Sequence, residues 1–104
     1  MVVNWVLSLH PEVWDDIDDA IEYYADVEVS LPERFLMELD VAFDFAERFP
    51  LSGRPLYTKY RRIVLKHFPY IVCYRVIDKT VRVLAIVHGR RDPKWVRRKL
   101  AARS

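Results

Sequence analysis

The chain has almost no cysteine. Cys73 stands alone in 104 residues, so no intrachain disulfide can form, and a lone thiol fits a reducing compartment such as the cytoplasm. Glycine is nearly as scarce, with 2 Gly and 6 Pro, which excludes collagen-like and glycine-rich low-complexity chains. Long hydrophobic runs are missing too, and apolar stretches of a few residues fall far short of the roughly 20 needed to span a membrane. The opening Met1–Leu9 stretch carries no basic region and no small-residue cleavage site, so it reads as a strand and not as an export signal. Three scattered histidines (His10, His67, His88) and one cysteine match no metal-ligand spacing, and neither metal nor cofactor is expected. There is no internal repeat and no Ser/Gly-rich linker.

What is present is the material of one core. Hydrophobic types make up 52% and charged types 31%, with 3 Trp, 6 Tyr and 5 Phe to fill an interior. At this length folding buries roughly two thirds of the unfolded surface without needing staples. A single domain over residues 1–104 is expected. The net charge of +2 conceals a strong asymmetry: residues 1–50 hold 13 acids against 2 bases, and residues 51–104 hold 2 acids against 15 bases. A basic second half of this kind presents a field to an anionic partner, either nucleic acid or an acidic protein segment.

The hydropathy pattern sets the order of elements. Val3, Trp5, Leu7 and Leu9 alternate with Val2, Asn4, Val6 and Ser8, which predicts a strand over 2–9. Pro11 then suits the first turn of a helix carrying Val13, Trp14, Ile17, Ala20, Ile21 and Tyr24 on one side and running to about Val27. Asp15, Asp16, Asp18, Asp19 and Glu22 on its other side read as a solvated face placed toward the positive end of the helix dipole. Without a turn-making Gly they do not form a calcium loop. Ser30-Leu31-Pro32-Glu33 has the form of a capping box. It opens a second helix whose stripe is Phe35, Leu39, Ala42, Ala46 and Phe49, flanked by Leu36 and Phe43. Pro50 to Pro55 is dense in turn formers. Beyond it the period becomes two, with strands expected at 61–66, 70–77 and 81–88; the Asp78-Lys79 connection is too short for a crossover, so the three form an antiparallel meander. Asp92 as N-cap and Pro93 at the first helical position announce a short basic helix over 94–100.

Four segments together carry a family resemblance. They are Pro11-Glu12 opening an acidic helix, Phe49-Pro50-Leu51-Ser52-Gly53-Arg54, Phe68-Pro69-Tyr70-Ile71-Val72-Cys73-Tyr74-Arg75-Val76, and Val87-His88-Gly89-Arg90-Arg91-Asp92-Pro93. In this order the chain resembles the RelE/ParE superfamily of bacterial toxins, the last two segments looking most like the ParE branch. The resemblance implies an α+β fold in β-α-α-β-β-β order, with a helical hairpin on one face of a mainly antiparallel sheet and a short basic C-terminal helix. It also implies a cognate antitoxin. In the ParE branch the implied target is DNA gyrase, inhibited by binding alone. In the RelE branch the implied activity is ribosome-dependent cleavage of messenger RNA. A third reading is a degenerate member that only binds a partner, and a homodimer is left open.

Cleavage of RNA needs a group to take the 2'-hydroxyl proton, a group to protonate the leaving oxygen, and cations to hold the phosphate's added charge. The RelE branch places an arginine directly after the aromatic or histidine that starts the middle meander strand; here that position is Ile71, a hydrocarbon. Tyr70, His88, Arg90 and Arg91 are the set that would serve an RNase, with His67 a further polar group at a turn. His88 reads first as a hydrogen-bonded residue orienting the Arg90-Arg91 loop. Tyr70, Val72 and Tyr74 share one strand face and Ile71, Cys73 and Arg75 the other; one set must meet the helices, and the first holds only aromatic and aliphatic types while Ile71 and Cys73 suit a core as well, with Cys73 a buried inert thiol. Arg61, Arg62, Arg75, Arg90, Arg91, Arg97 and Arg98, with Lys66, Arg82 and Lys99 beside them, are expected along the sheet edges and open face. Guanidiniums favour planar contact with carboxylate or phosphate, so the seven arginines are the expected partner-binding set, with an acidic or amphipathic antitoxin segment lying across them.

Overall fold

The computed structural model describes residues 5–104. Its elements are β1 (Val6–Leu9), α1 (Val13–Val27), α2 (Leu31–Arg48), β2 (Arg54–Leu56), β3 (Tyr60–Val64), β4 (Tyr70–Ile77), β5 (Thr80–His88) and α3 (Pro93–Arg103). The five strands form one sheet in the order β1-β5-β4-β3-β2. β1 runs parallel to β5, and the remaining pairs are antiparallel. The fold is α+β, with the helical hairpin on one face of the sheet. Residues 2–4 of the expected first strand lie outside the described residues.

The hairpin face is an apolar core. Val13, Ile17, Ala20 and Tyr24 of α1 and Phe35, Leu39, Ala42 and Ala46 of α2 pack over Val72, Tyr74, Val81, Val83 and Ile86. Tyr24, Phe35, Phe68 and Tyr70 interlock with ring centroids 4.9 to 6.0 Å apart, mostly edge to face. Tyr74 is fully buried and donates its hydroxyl to Pro50 O at 2.8 Å. A Cβ at Gly53 would run into that hydroxyl, which is why the α2–β2 turn needs glycine there. Tyr70, Val72 and Tyr74 do face the helices.

The opposite face is not open. α3 lies across it and buries Val96 and Leu100 against Leu56, Tyr60, Cys73, Leu84, Ala85 and Val87. A β-bulge makes this possible: Cys73 pairs with Ala85 and Tyr74 with Val83, so Leu84 is an extra residue on β5 and both Leu84 and Ala85 turn toward α3. Cys73 is buried beneath the helix, and that burial pushes its thiol up to about 12, an unreactive state.

Several local expectations are corrected. Asp16 does not belong to a solvated acidic face. It is 8% exposed and accepts Ile86 N–H at 3.0 Å and two nitrogens of Arg103 at 2.6 and 3.0 Å, with Lys99 Nζ at 3.2 Å. Arg103 also reaches Glu12 and the carbonyl of the bulged Leu84. Burial works to lower the Arg103 guanidinium, and the Asp16 and Glu12 carboxylates outweigh it, so its net shift is upward and it stays a cation. This buried pair locks α3 to α1 and β5, and α3 accordingly runs on to Arg103 instead of stopping near Leu100.

Ser30 caps nothing. Its backbone is already helical at φ −85°, ψ −15°, and its hydroxyl donates to Glu28 Oε1 at 2.6 Å. α1 starts two residues after Pro11, with His10 Nδ1 accepting Glu12 N–H at 3.1 Å. Phe49 follows the end of α2 and is 56% exposed, outside the core stripe. The expected turn at 50–55 contains the start of β2, a three-residue edge strand in which Pro55 is tolerated because only one neighbour pairs with it. β3 ends at Val64, and Asp92 does cap α3, accepting Lys94 N–H at 3.0 Å.

Candidate functional site

Three surface features could carry function, and the first is the cleft where β4 begins and β5 ends. Tyr70 and His88 are cross-strand partners with rings 5.3 Å apart. With Arg91, Trp95, Asp16 and Asp19 they line a space of about 110 Å³. The structure therefore brings Tyr70, His88 and Arg91 together, but Arg90 is not among the lining residues and His67 is elsewhere, bonded to Glu38.

The chemistry of this cleft is constrained. His88 Nδ1 accepts Arg90 N–H at 3.1 Å, and His88 O accepts Arg91 N–H at 3.0 Å. Because a backbone N–H can only donate, the neutral ring carries its proton on Nε2, and Nδ1 is not free to take one from a substrate. Both bonds tie the Arg90-Arg91 turn to His88. Burial raises Tyr70 above the ordinary phenol value, which keeps it protonated. The cavity is well below the roughly 300–1,000 Å³ of small-molecule pockets, and its cations Arg91 and Lys99 share the wall with Asp16 and Asp19, Lys99 being already paired with Asp16.

The second feature is the cationic surface at α3. Arg90, Arg91, Lys94, Arg97 and Arg98 are all exposed. Arg91 lies over the Trp95 ring at 4.3 Å, and Arg97 over Tyr57 at 4.5 Å. The other candidate arginines are not part of it. Arg61 donates to Leu51 O at 3.0 Å and Gly53 O at 2.9 Å, tying down the α2–β2 connection. Arg62 sits opposite Cys73 with its Nε buried and unpartnered. Arg82 donates to Ser8, and Arg75 lines a depression beside it near the end of α3.

The third feature was not anticipated. Met37, Val41 and Phe45 form a second apolar stripe on α2, 62%, 70% and 42% exposed, beside Val64 at 60%. They line a groove of about 420 Å³ between α2 and β3. β2 pairs only with Tyr60 to Arg62, so the outer edge of Ile63 and Val64 is open as well. The signal was in the sequence: Met37, Val41, Phe45 and Phe49 recur at i, i+4, a second period beside the core stripe.

The architecture is a helical hairpin on a five-stranded mixed sheet, with a third helix on the opposite face. A solved structure of the chromosomal ParDE toxin-antitoxin system from P. aeruginosa shares it, with a TM-score of 0.70 at 20% identity over 84% of this chain and 98% of that one. The family profile described as ParE toxin of type II toxin-antitoxin system, parDE, matches residues 7–93. Toxin ParE2 of Mycobacterium tuberculosis, in strains CDC 1551 / Oshkosh and ATCC 25618 / H37Rv, is 32% identical over 99 residues, 94% of each chain. The chain belongs to the ParE toxin family of type II toxin-antitoxin systems.

Proposed function

We propose that this toxin arrests growth by binding DNA gyrase without catalysing a reaction, and that a cognate antitoxin neutralises it in the cytoplasm. The carrying observation is the His88 cleft: its imidazole Nδ1 is committed to Arg90 N–H, its space is about 110 Å³, and its cations Arg91 and Lys99 are matched on the wall by Asp16 and Asp19. Transfer of the 2'-hydroxyl proton by Nδ1 would first have to break the bond that shapes the loop. Ile71, directly after Tyr70, packs against the α3 core and supplies no charge. These features weigh against Tyr70, His88, Arg90 and Arg91 as a ribonuclease set and leave the arginine-rich surface for contact.

The apolar α2–β3 groove suits the antitoxin. It is distinct from the cationic surface, its exposed Met37, Val41, Phe45 and Val64 need a partner to leave water, and the open β3 edge accepts main-chain bonds from an added segment. An amphipathic antitoxin segment there leaves the arginines of α3 accessible.

Purified toxin should abolish supercoiling by gyrase while leaving transcripts on translating ribosomes intact. Transcripts cut between codon positions would replace this reading with the ribonuclease. Neither effect, with antitoxin binding retained, would leave a protein that only docks.

A further inference from the structure

The cations of the C-terminal region divide into two sets. Arg103 and Lys99, with side chains 7% and 23% exposed, turn inward onto Asp16. Arg90, Arg91, Lys94, Arg97 and Arg98 turn outward, and among the described residues none of the five joins an ion pair. Asp92, the one acid between them, spends its carboxylate on Lys94 N–H at 3.0 Å. Two of the guanidiniums are already positioned over Trp95 and Tyr57, so less side-chain freedom remains to be lost on contact. Tyr57 itself has a left-handed backbone (φ 58°) and donates its hydroxyl to Pro93 O at 3.1 Å, which presses its ring against the start of α3.

We propose that this outward face of α3, with the Arg90-Arg91 loop, is a contact surface for the phosphate backbone of duplex DNA. The choice of a nucleic-acid partner over an acidic protein rests on what the surface lacks. The large exposed apolar side chains all fall between Val6 and Ile77, and none lies on the loop or on α3. Protein interfaces are anchored by buried aromatic and aliphatic groups inside a polar rim, whereas phosphate contacts are made by cations and other polar donors and need no apolar anchor. Lys94 and Arg98 are one helical turn apart, roughly 6 Å along the axis, a span of about two phosphate steps at 3.4 Å per strand. The acidic exposed side of α1, with Asp15, Asp18 and Asp19, repels the same polymer and so orients the approach.

This deepens the gyrase reading, since gyrase holds a duplex, but it is measured without the enzyme. Fluorescence anisotropy of a labelled duplex of about 20 base pairs, two helical turns, with the full-length toxin alone should show salt-dependent binding. Five cations give a slope of log affinity against log salt of about −4.5, a loss of about 500-fold between 50 and 200 mM salt. The pair Arg97→Ala and Arg98→Ala should cut the slope by about 2 with an unchanged thermal midpoint, because both side chains are exposed; Arg48→Ala, on α2 and paired with Asp44, should leave it unchanged. No binding at 50 mM salt, an unchanged slope in the double variant, tighter binding of single-stranded RNA, or equal competition by polyglutamate would each overturn the proposal. DNA binding without gyrase inhibition keeps this surface and removes the gyrase reading; gyrase inhibition without DNA binding does the reverse.

Discussion

On one face of the sheet, two long helices bury Val13, Ile17, Tyr24, Phe35 and Leu39 over Val72, Tyr74, Val81 and Val83, a layer of aliphatic and aromatic side chains. On the other, an eleven-residue helix buries only Val96 and Leu100 within itself and brings Arg103 down onto a buried carboxylate. The first face is closed by non-directional burial spread over many residues. The second is closed by a small apolar contact together with one directional network, Asp16 with Arg103, Lys99 and Ile86 N–H. A buried ion pair adds little net stability over an apolar substitute, but removing one partner strands the other. The consequence is a helix whose attachment concentrates on the buried Asp16 carboxylate, next to a core whose burial is spread over many side chains.

That contrast can be tested most severely at Asp16. Asp16→Leu should cost about 3–5 kcal/mol by urea denaturation, because it removes the buried partner of Arg103 and leaves the guanidinium only the exposed Glu12 carboxylate at 3.1 Å. Hydrogen exchange should then show α3 amides opening first, with α1 and α2 still protected. Adding Arg103→Met should recover most of the loss; a cost near that of an exposed pair, under about 1 kcal/mol, would mean that α3 is held by Val96 and Leu100 instead.

A smaller effect is expected between α2 and the β3–β4 turn. Glu38 accepts His67 N–H at 2.8 Å and meets His67 Nδ1 at 2.6 Å, on a side chain 21% exposed. Burial works to raise this carboxyl, but the His67 bonds outweigh it and hold it below its ordinary value of 4.5. A depressed carboxyl contributes stability that is complete above the unfolded-state value and is lost as pH falls through the folded-state value. Denaturation midpoints should therefore drop below about pH 4.5 in the native chain, and this part of the drop should vanish in Glu38→Gln.

The smallest stability effect should come from the exposed stripe. Val41→Asp, at a position 70% exposed, should shift stability by no more than about 0.5 kcal/mol. If the groove holds the antitoxin, the same change should weaken antitoxin binding at least tenfold by calorimetry, about 1.4 kcal/mol. Unaltered affinity would move the antitoxin onto another surface.

Much of this architecture was legible along the chain. The helical periods of Val13 to Tyr24 and Phe35 to Ala46 and the two-residue period of the meander each report which side chains must leave water. The Asp92-Pro93 start reports where a helix can begin. What was misread depended mostly on neighbours distant in sequence, and at Ser30 on the local backbone. Asp16 looks like any other acid of its helix until Arg103, 87 positions later, arrives beside it. Ser30 looks like a cap until its own backbone angles turn the hydroxyl toward Glu28. Arg61, Arg97 and Arg98 looked equivalent along the chain, yet Arg61 is spent on two carbonyls while Arg97 and Arg98 are exposed.

Local pattern and charge order determined the elements, their succession, the acidic and basic halves and the apolar stripes, because each depends on residues within a few positions of one another. Tertiary structure alone decided that the sheet's second face is covered, that Asp16 is buried while the other acids of its helix face are not, and which cations remain free for a partner. Those outcomes depend on long-range pairing, where the same side chain is a solvated charge or a structural pin according to what lies across from it.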